Sequence, residues 1–217
     1  MGQTILTQDQ KTVLRLFSEE TSLNTFYLSG GTALAEYYLQ HRDSDDLDFF
    51  SDTPIDISAI EFFIQKLTKH LEAKTARFER IHDRRVFFIE RKDVDLKIEF
   101  SLYPFSALEK RKVIHNIQID SKRDIAANKL AALLDRFEPK DFVDLYFLLQ
   151  DRMIENIRSD VEKKFGLTVS SLALGGELAK VRRVEILPRM RVPFTIDELK
   201  KFFMKLAEEL KPTVLDY

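Results

Sequence analysis

Apolar residues in the first half of the chain follow two different periods. Segments 75–81, 85–91 and 94–102 alternate apolar and polar positions, which predicts strands, and 113–119 is predicted to be one further short strand. Residues 57–71 instead repeat their apolar side chains every three or four positions, as an amphipathic helix does. The pattern of this half therefore indicates a sheet with helices packed on it.

Helices are predicted before and after this region. Thr7 is suited to cap a first helix, whose apolar stripe begins at Val13. From residue 122 onward the pattern is helical, with helices predicted at 124–137, 140–150, 153–165, 170–180 and 196–210, a break at Glu138-Pro139 and a further interruption at Gly175-Gly176. The chain is thus expected to be α+β, with an α/β domain over residues 1–120 and a helical domain, residues 121–217, packed against it.

Residues 26–51, FYLSGGTALAEYYLQHRDSDDLDFFS, form the most informative segment. The apolar start predicts a short strand that ends at Ser29-Gly30-Gly31. Thr32 is predicted to cap a helix over 33–39, and a second strand is predicted over 46–50. The sequence therefore predicts a strand, a glycine turn, a helix and a second strand in close succession.

Asp46 and Asp48 give the second strand a candidate metal site. Alternation along a strand places both carboxylates on one face. Like charges held that close together cost free energy unless a cation lies between them. Mg²⁺ takes one or two carboxylates and completes its shell with water and phosphate oxygens, so the pair predicts a Mg²⁺ site, with Mn²⁺ as the alternative ion.

The diglycine turn adds a candidate phosphate site. Backbone N–H groups at Gly30 and Gly31, at the start of a helix, would face an anion together with the positive end of the helix dipole. One helix then joins a phosphate site to metal-binding carboxylates, which is the combination that phosphoryl or nucleotidyl transfer requires. Each feature alone is common, because glycine turns often precede helices and paired aspartates often lie on solvated strand edges.

The strand predicted over 94–102 offers a third acid. Its charged face carries Asp95, Lys97 and Glu99, and such a face is most often simply half-exposed. Glu99 is the preferred candidate because it lies deeper in the apolar run than Asp95. Lys97 is a candidate either for binding substrate phosphates or for neutralising the acidic face.

Composition narrows the range of functions. The chain has 217 residues, 44% hydrophobic and 32% charged, with a net charge of −2, so any contact with nucleic acid would have to be local. It has no cysteine, which excludes disulfides, thiolate nucleophiles and cysteine-bound metals. Neither a secretion signal nor an apolar run of membrane-spanning length is recognised, so a cytoplasmic protein without membrane contact is expected.

Two motifs carry a resemblance to a known family. The first is the run LSGGTALAEYYLQHRDSDDLDFF, which includes Arg42 and Ser44 as well as the glycines and aspartates. The second is the combination of Lys129, Arg136 and the run KDFVDLY, which contains Asp144. Together they resemble the AbiEii/AbiGii toxin family, a branch of the DNA polymerase β-like nucleotidyltransferase superfamily.

The resemblance implies a nucleotidyltransferase-like mixed sheet with flanking helices and a C-terminal helical bundle. It implies that NTP is the donor, with a nucleic acid (tRNA among them) or a protein as acceptor, and that the protein is the toxin of a type IV toxin–antitoxin system in phage defence, with a cognate antitoxin. The implied catalytic and metal-binding residues are Asp46, Asp48 and Glu99, and the implied substrate-binding residues are Ser29, Gly30, Gly31, Thr32, Arg42, Ser44, Lys97, Lys129 and Asp144.

Most of these residues also have an ordinary structural interpretation. Arg42 and Ser44 could form an ion pair and a turn, Lys129 could extend from a packed helix, and Asp144 could pair with a nearby cation. Two other functions remain open, a metal-dependent nuclease and a non-catalytic nucleotide- or RNA-binding regulator. The glycine turn disfavours the nuclease, which needs no triphosphate site, and the intact acid pair disfavours the regulator.

Overall fold

The computed structural model describes residues 4–91 and 95–210. Contacts within the chain divide it into two units, Met1–Lys122 and Arg123–Tyr217. The first contains a seven-stranded mixed sheet with helices, and the second is helical in its described part. This confirms the α+β class.

The first unit combines short helices with a continuous sheet. Its helices are α1 (Gln8–Ser18), α2 (Gly30–Leu34) and α3 (Ile57–His70), with a 3₁₀ turn at Thr21–Leu23 and a π-helical turn at Ala35–Leu39. Its strands are β1 (Tyr27–Ser29), β2 (Leu47–Ser51), β3 (Ala76–Ile81), β4 (Arg84–Ile89), β5 (Leu96–Leu102), β6 (Lys112–Ile114) and β7 (Ile117–Ile119). The strand order is β3-β4-β5-β2-β1-β7-β6.

Strand β2 lies at the centre of the sheet. It pairs antiparallel with β1 and parallel with β5. Strand β1 also pairs parallel with β7, and β4 joins β5 to the edge strand β3 in antiparallel pairs. Residues of β2 therefore have ordered neighbours on both sides.

One face of the sheet is covered by phenylalanine packing. The ring of Phe17 in α1 stacks on Phe49 of β2 at 4.2 Å, and Phe49 stacks on Phe100 of β5 at 5.3 Å. Phe63 of α3 contacts Phe17 and Phe100 edge to face. Since Leu47 and Phe49 point into this core, alternation turns Asp48 to the opposite face.

The second unit contains helices with buried ion pairs. They are α4 (Lys122–Asp135, whose first residue belongs to the other unit), α5 (Pro139–Leu148), α6 (Ile154–Phe165), α7 (Ser171–Ala179) and α8 (Ile196–Glu209), with a 3₁₀ turn at Lys180–Arg183. Lys164 donates to Asp124 at 2.7 Å with both side chains buried. In the ranges 4–91 and 95–210, no helix is long and apolar enough to cross a membrane.

The structure corrects three local predictions. Helix α2 begins at Gly30, not after Thr32, and its N-cap residue is Ser29. The segment 113–119 is a hairpin of two strands, because His115 and Asn116 take positive φ angles and form its turn. Gly175-Gly176 lies inside α7 without breaking it.

The starts of three helices agree more closely with the sequence predictions. Thr7 and Thr195 cap α1 and α8, each in a capping box. Helix α5 begins at Pro139, where the missing N–H costs nothing. Val94, predicted to start the strand that is now β5, lies outside the described residues.

Candidate active site

Gly30 packs directly against the carboxylate of Asp48. The two strands place Ser29 opposite Asp48, so the turn that follows β1 lies over that side chain. A Cβ atom at Gly30 would lie 3.0 Å from Cγ of Asp48 and closer still to Oδ2. Gly30 also has φ +71°, a conformation that favours glycine. Both the backbone angle and the space therefore require glycine here.

Gly31 has a similar relation to Arg42 and Ser44. A Cβ at Gly31 would lie 2.6 Å from Nη2 of Arg42 and 3.1 Å from Oγ of Ser44. Arg42 is buried and donates through Nη1 to the carbonyl of Asp43 at 2.9 Å. Gln10 of α1 fixes this loop by donating to the carbonyl of Ser44 at 2.8 Å. The structure thus brings Arg42 and Ser44 to the diglycine turn.

The hydroxyls of Ser29 and Thr32 hold the turn to its neighbours. Oγ of Ser29 donates to Oδ2 of Asp120 at 2.7 Å, and both side chains are buried. Oγ1 of Thr32 donates to the backbone carbonyl of Asp46. The first bond ties the turn to the residue that follows β7, and the second ties the start of α2 to the residue that precedes β2.

Asp46 forms an ion pair with Lys97. Nζ of Lys97 lies 3.0 Å from Oδ2 of Asp46, and both side chains keep more than a quarter of their surface exposed. The ammonium group of Lys97 therefore offsets part of the negative charge of Asp46. The ion pair remains within reach of solvent and of an incoming ligand.

Glu99 lies directly beside Asp48 in the parallel pair of β2 and β5. Its carboxylate accepts two hydrogen bonds from Arg84, at 2.6 and 2.5 Å, and one from Ser101 at 2.8 Å. Burial alone would raise the pKa of Glu99, but the bonds from Arg84 and Ser101 and the charges of Arg84 and Lys97 outweigh it and lower this pKa. Glu99 is therefore held as an anion.

The donor set fits a divalent cation in part. Asp48 on β2 and Asp46, the residue just before β2, are half-buried carboxylates, the hard oxygen ligands that suit Mg²⁺. Glu99 is committed to Arg84 in this conformation. Within the described part of the chain no three acidic or histidine side chains form a ready metal cluster. The pair fits the ion, whereas the three-acid centre is not assembled.

Lys129 and Asp144 belong to the second unit, where they form a buried cluster. Nζ of Lys129 lies 2.8 Å from Asp141 and 2.6 Å from Asp144. Arg136 adds a second cation, 3.2 Å from Asp141. Asp144 is thus paired with Lys129, and Asp141 with both Lys129 and Arg136.

Two residues of this site were missed from the sequence. The sequence pattern gives no role to Arg84, which lies between the predicted strands 75–81 and 85–91, or to Asp120, the partner of Ser29. Arg84 could have been found by pairing RVFFIER with VDLKIEF as a hairpin, which places it on the face of Glu99. Asp120 gave no such signal, because its contact depends on β7 lying beside β1.

A family model described as the nucleotidyl transferase AbiEii toxin of type IV toxin–antitoxin systems matches residues 12–212. The chain belongs to the AbiEii family. It is therefore a nucleotidyltransferase by family, and the glycine turn and aspartates described above lie within the matched region. This confirms the family and enzyme class predicted from the two motifs.

Relatives and solved structures extend over almost all of the chain. An uncharacterized protein of Aquifex aeolicus (strain VF5) is 29% identical over 215 residues, which is 94% of this chain and 97% of that protein. A crystal structure from H. pylori, provisionally assigned as a nucleotidyltransferase, has a TM-score of 0.62 at 19% identity and covers 94% of this chain and 96% of that one. The Helicobacter pylori protein JHP933 has a TM-score of 0.58 at 18% identity, covering 94% and 93%. These two structures share the fold.

Proposed function

We propose that this AbiEii-family protein transfers a nucleoside monophosphate from NTP to an RNA or protein acceptor, with tRNA among the RNA candidates, and releases pyrophosphate in a reaction that depends on Mg²⁺. It acts as the toxin of a type IV toxin–antitoxin pair in phage defence, drawing on the cytoplasmic NTP pool. A cognate antitoxin is its regulatory partner. The family description supports the toxin role, and the geometry of the first unit supports the chemistry.

The contact between Gly30 and Asp48 carries the proposal. It brings the glycine turn next to a carboxylate on the central strand. A triphosphate held by the turn would then have its reacting phosphate beside Asp48. Such positioning is the main contribution that a protein makes to nucleotidyl transfer.

Backbone and side-chain groups of the turn have different roles in this proposal. The hydroxyls of Ser29 and Thr32 shape the turn, so the phosphate contacts fall to the N–H groups of Gly30 and Gly31. Arg42, packed against Gly31, adds positive charge behind the phosphates, and Ser44 lies beside it. Lys97 is partly exposed and lies at Asp46, so its ammonium group could leave that carboxylate and bind a substrate phosphate.

Asp46 and Asp48 would hold the divalent cation, which supplies charge neutralisation at the reacting phosphate. Glu99 would keep the face acidic, and it could act as a third ligand or as a base only after Arg84 releases one of its oxygens. Lys129 and Asp144 would also bind substrate. Because they form an ion pair with each other, Lys129 would first have to leave Asp144.

The experiment supplies each NTP labelled at the α-phosphate, with Mg²⁺ or Mn²⁺ and total RNA. A label that appears on RNA or on protein supports the proposal, and a γ-label that fails to transfer distinguishes nucleotidyl from phosphoryl transfer. Shortened RNA without incorporated label would indicate a nuclease instead. If no label appears on RNA or on protein with either ion, the proposal is contradicted.

A further inference from the structure

The hairpin of β3 and β4 carries two arginines that face each other. Arg80 and Arg85 are directly opposite in the antiparallel register. Like charges in that position destabilise a sheet. Their hydrogen bonds go to backbone carbonyls at the turn, Nε of Arg80 to His82 at 3.4 Å and Nη1 of Arg85 to Asp83 at 3.0 Å. Neither guanidinium forms an ion pair with a carboxylate of residues 4–91 or 95–210.

An exposed aromatic ring lies on the same face of this hairpin. Phe78 and Phe87 face each other two rungs from the Arg80–Arg85 pair, on the same face of the hairpin, and their rings are 5.0 Å apart. Phe87 is buried, but Phe78 is 50% exposed. A planar apolar ring beside two cations is the chemistry that binds an RNA base together with its neighbouring phosphates.

The hairpin belongs to the same sheet as the candidate site. Arg84, the residue between the turn and Arg85, reaches Glu99 on the other sheet face. Strand β3 is three strand spacings from β2, about 14 Å. A nucleic-acid strand that crosses the hairpin turn could therefore extend to Asp48.

We propose that Phe78, Arg80 and Arg85, the hairpin patch, bind the phosphate backbone and one base of an RNA acceptor. This rests on the proposed function and selects RNA over protein as the acceptor. The repulsion between the two arginines is then relieved when a phosphate binds between them, which accounts for a pair that stability alone disfavours.

The test measures binding of labelled total tRNA over a range of salt concentrations. Arg80→Gln/Arg85→Gln should weaken binding roughly tenfold near 0.1 M salt and lower the log–log salt slope by about 1.4 to 1.8, the value for two phosphate contacts. Phe78→Ala should weaken binding roughly tenfold with the slope unchanged. Lys201→Gln/Lys205→Gln on α8 removes the same charge and should leave binding within twofold.

Asp83→Asn is a variant that should change tRNA affinity in the opposite direction. It removes the negative charge at the turn and should tighten tRNA binding about twofold to threefold, which a misfolded variant would not do. Absence of tRNA binding by the wild-type protein, an arginine double variant within twofold of wild type, or weaker binding by Asp83→Asn would each overturn the inference.

Transfer assays keep this inference separate from the proposed function. Label transferred to protein and unaffected by the hairpin variants would overturn RNA as the acceptor and leave nucleotidyl transfer intact. Hairpin-dependent tRNA binding without any label transfer would support the patch and contradict the proposed reaction.

Discussion

The guanidinium of Arg84 holds both carboxylate oxygens of Glu99, at 2.6 and 2.5 Å, one strand away from Asp48. Glu99 is almost fully buried, and Arg84 is 42% exposed. The bond with Glu99 raises the pKa of Arg84, and the two charges stabilise each other. The acid expected to complete a metal site is therefore also part of a structural ion pair.

Breaking this pair should destabilise the fold by about 2 kcal/mol for either Arg84→Gln or Glu99→Gln, because each leaves a charged hydrogen-bonding group without its partner. The double variant should cost less than the sum, with a coupling of about 1 kcal/mol or more. Urea unfolding of the four proteins measures this cycle. Arg15→Gln, which breaks the exposed Arg15–Glu19 pair, should change stability by about 0.5 kcal/mol or less. Additive effects at residues 84 and 99 would contradict a coupled pair.

The lowered pKa of Glu99 predicts how stability depends on pH. A carboxyl whose pKa is lower in the folded than in the unfolded state stabilises the fold above its ordinary value, 4.5. That stabilisation is lost as pH falls below 4.5 through the folded-state pKa. The free energy of unfolding, measured between pH 3 and 6, should show this loss, because that interval extends about one unit or more on either side of the ordinary pKa of Asp and Glu side chains.

Glu99→Gln is the control for this dependence, since the amide cannot titrate. The variant should lose stability less steeply than the wild type as pH falls below 4.5. If the free energies of unfolding of the two proteins fell in parallel below pH 4.5, other carboxyl groups would determine the loss of stability in acid.

Gly30 is predicted to tolerate no side chain. Gly30→Ala places a Cβ against the Asp48 carboxylate and forces alanine into φ +71°, which should cost about 1–2 kcal/mol of stability. Transfer activity should fall by more than the loss of folded protein, because the carboxylate is displaced. Thermal unfolding and label transfer are measured together.

Gly176→Ala is the matched change. Gly176 lies within α7 with open space at its Cβ position, so alanine should stabilise the protein by about 0.5–1 kcal/mol. If Gly30→Ala behaved like Gly176→Ala, the close approach of Gly30 to Asp48 would have no functional importance.

The sequence allowed much of this site to be predicted, because its main features are local. The turn at Gly30-Gly31 and the alternation through Asp46 and Asp48 are encoded within twenty residues. The role of Asp120 could not be predicted in this way, because it depends on β7 lying beside β1. The role of Arg84 requires in addition that β4 be paired with β5 as a hairpin. The turn at His115 and Asn116 was missed because their alternating neighbours favour one continuous strand, although asparagine is common at positive φ.

The cluster around Lys129 shows the same limit in the second unit. Sequence spacing allowed Asp141 and Asp144 to pair with Arg136 or Lys140, and Arg136 does pair with Asp141. It gave no sign that the helices also bring Lys129 between the two carboxylates. Lys129→Met would leave two buried carboxylates without their shared cation, which should destabilise the protein by about 3–5 kcal/mol. Denaturant unfolding measures this loss.

Lys163→Met, at an exposed position of α6, should change stability by about 0.5 kcal/mol or less. If Lys129→Met were as stable as this control yet inactive, Lys129 would act on substrate and its ion pairs would contribute little to the fold.

The most direct test compares label transfer from α-labelled NTP by the wild-type protein, Asp48→Asn and Asp95→Asn. Asp95 is an exposed acid just before β5, so its variant makes the same chemical change outside the site. The account predicts Mg²⁺-dependent transfer that falls about a hundredfold or more in Asp48→Asn, because a ligand of the charge-neutralising ion is lost, and that is unchanged in Asp95→Asn. Equal activity in Asp48→Asn and wild type would contradict it.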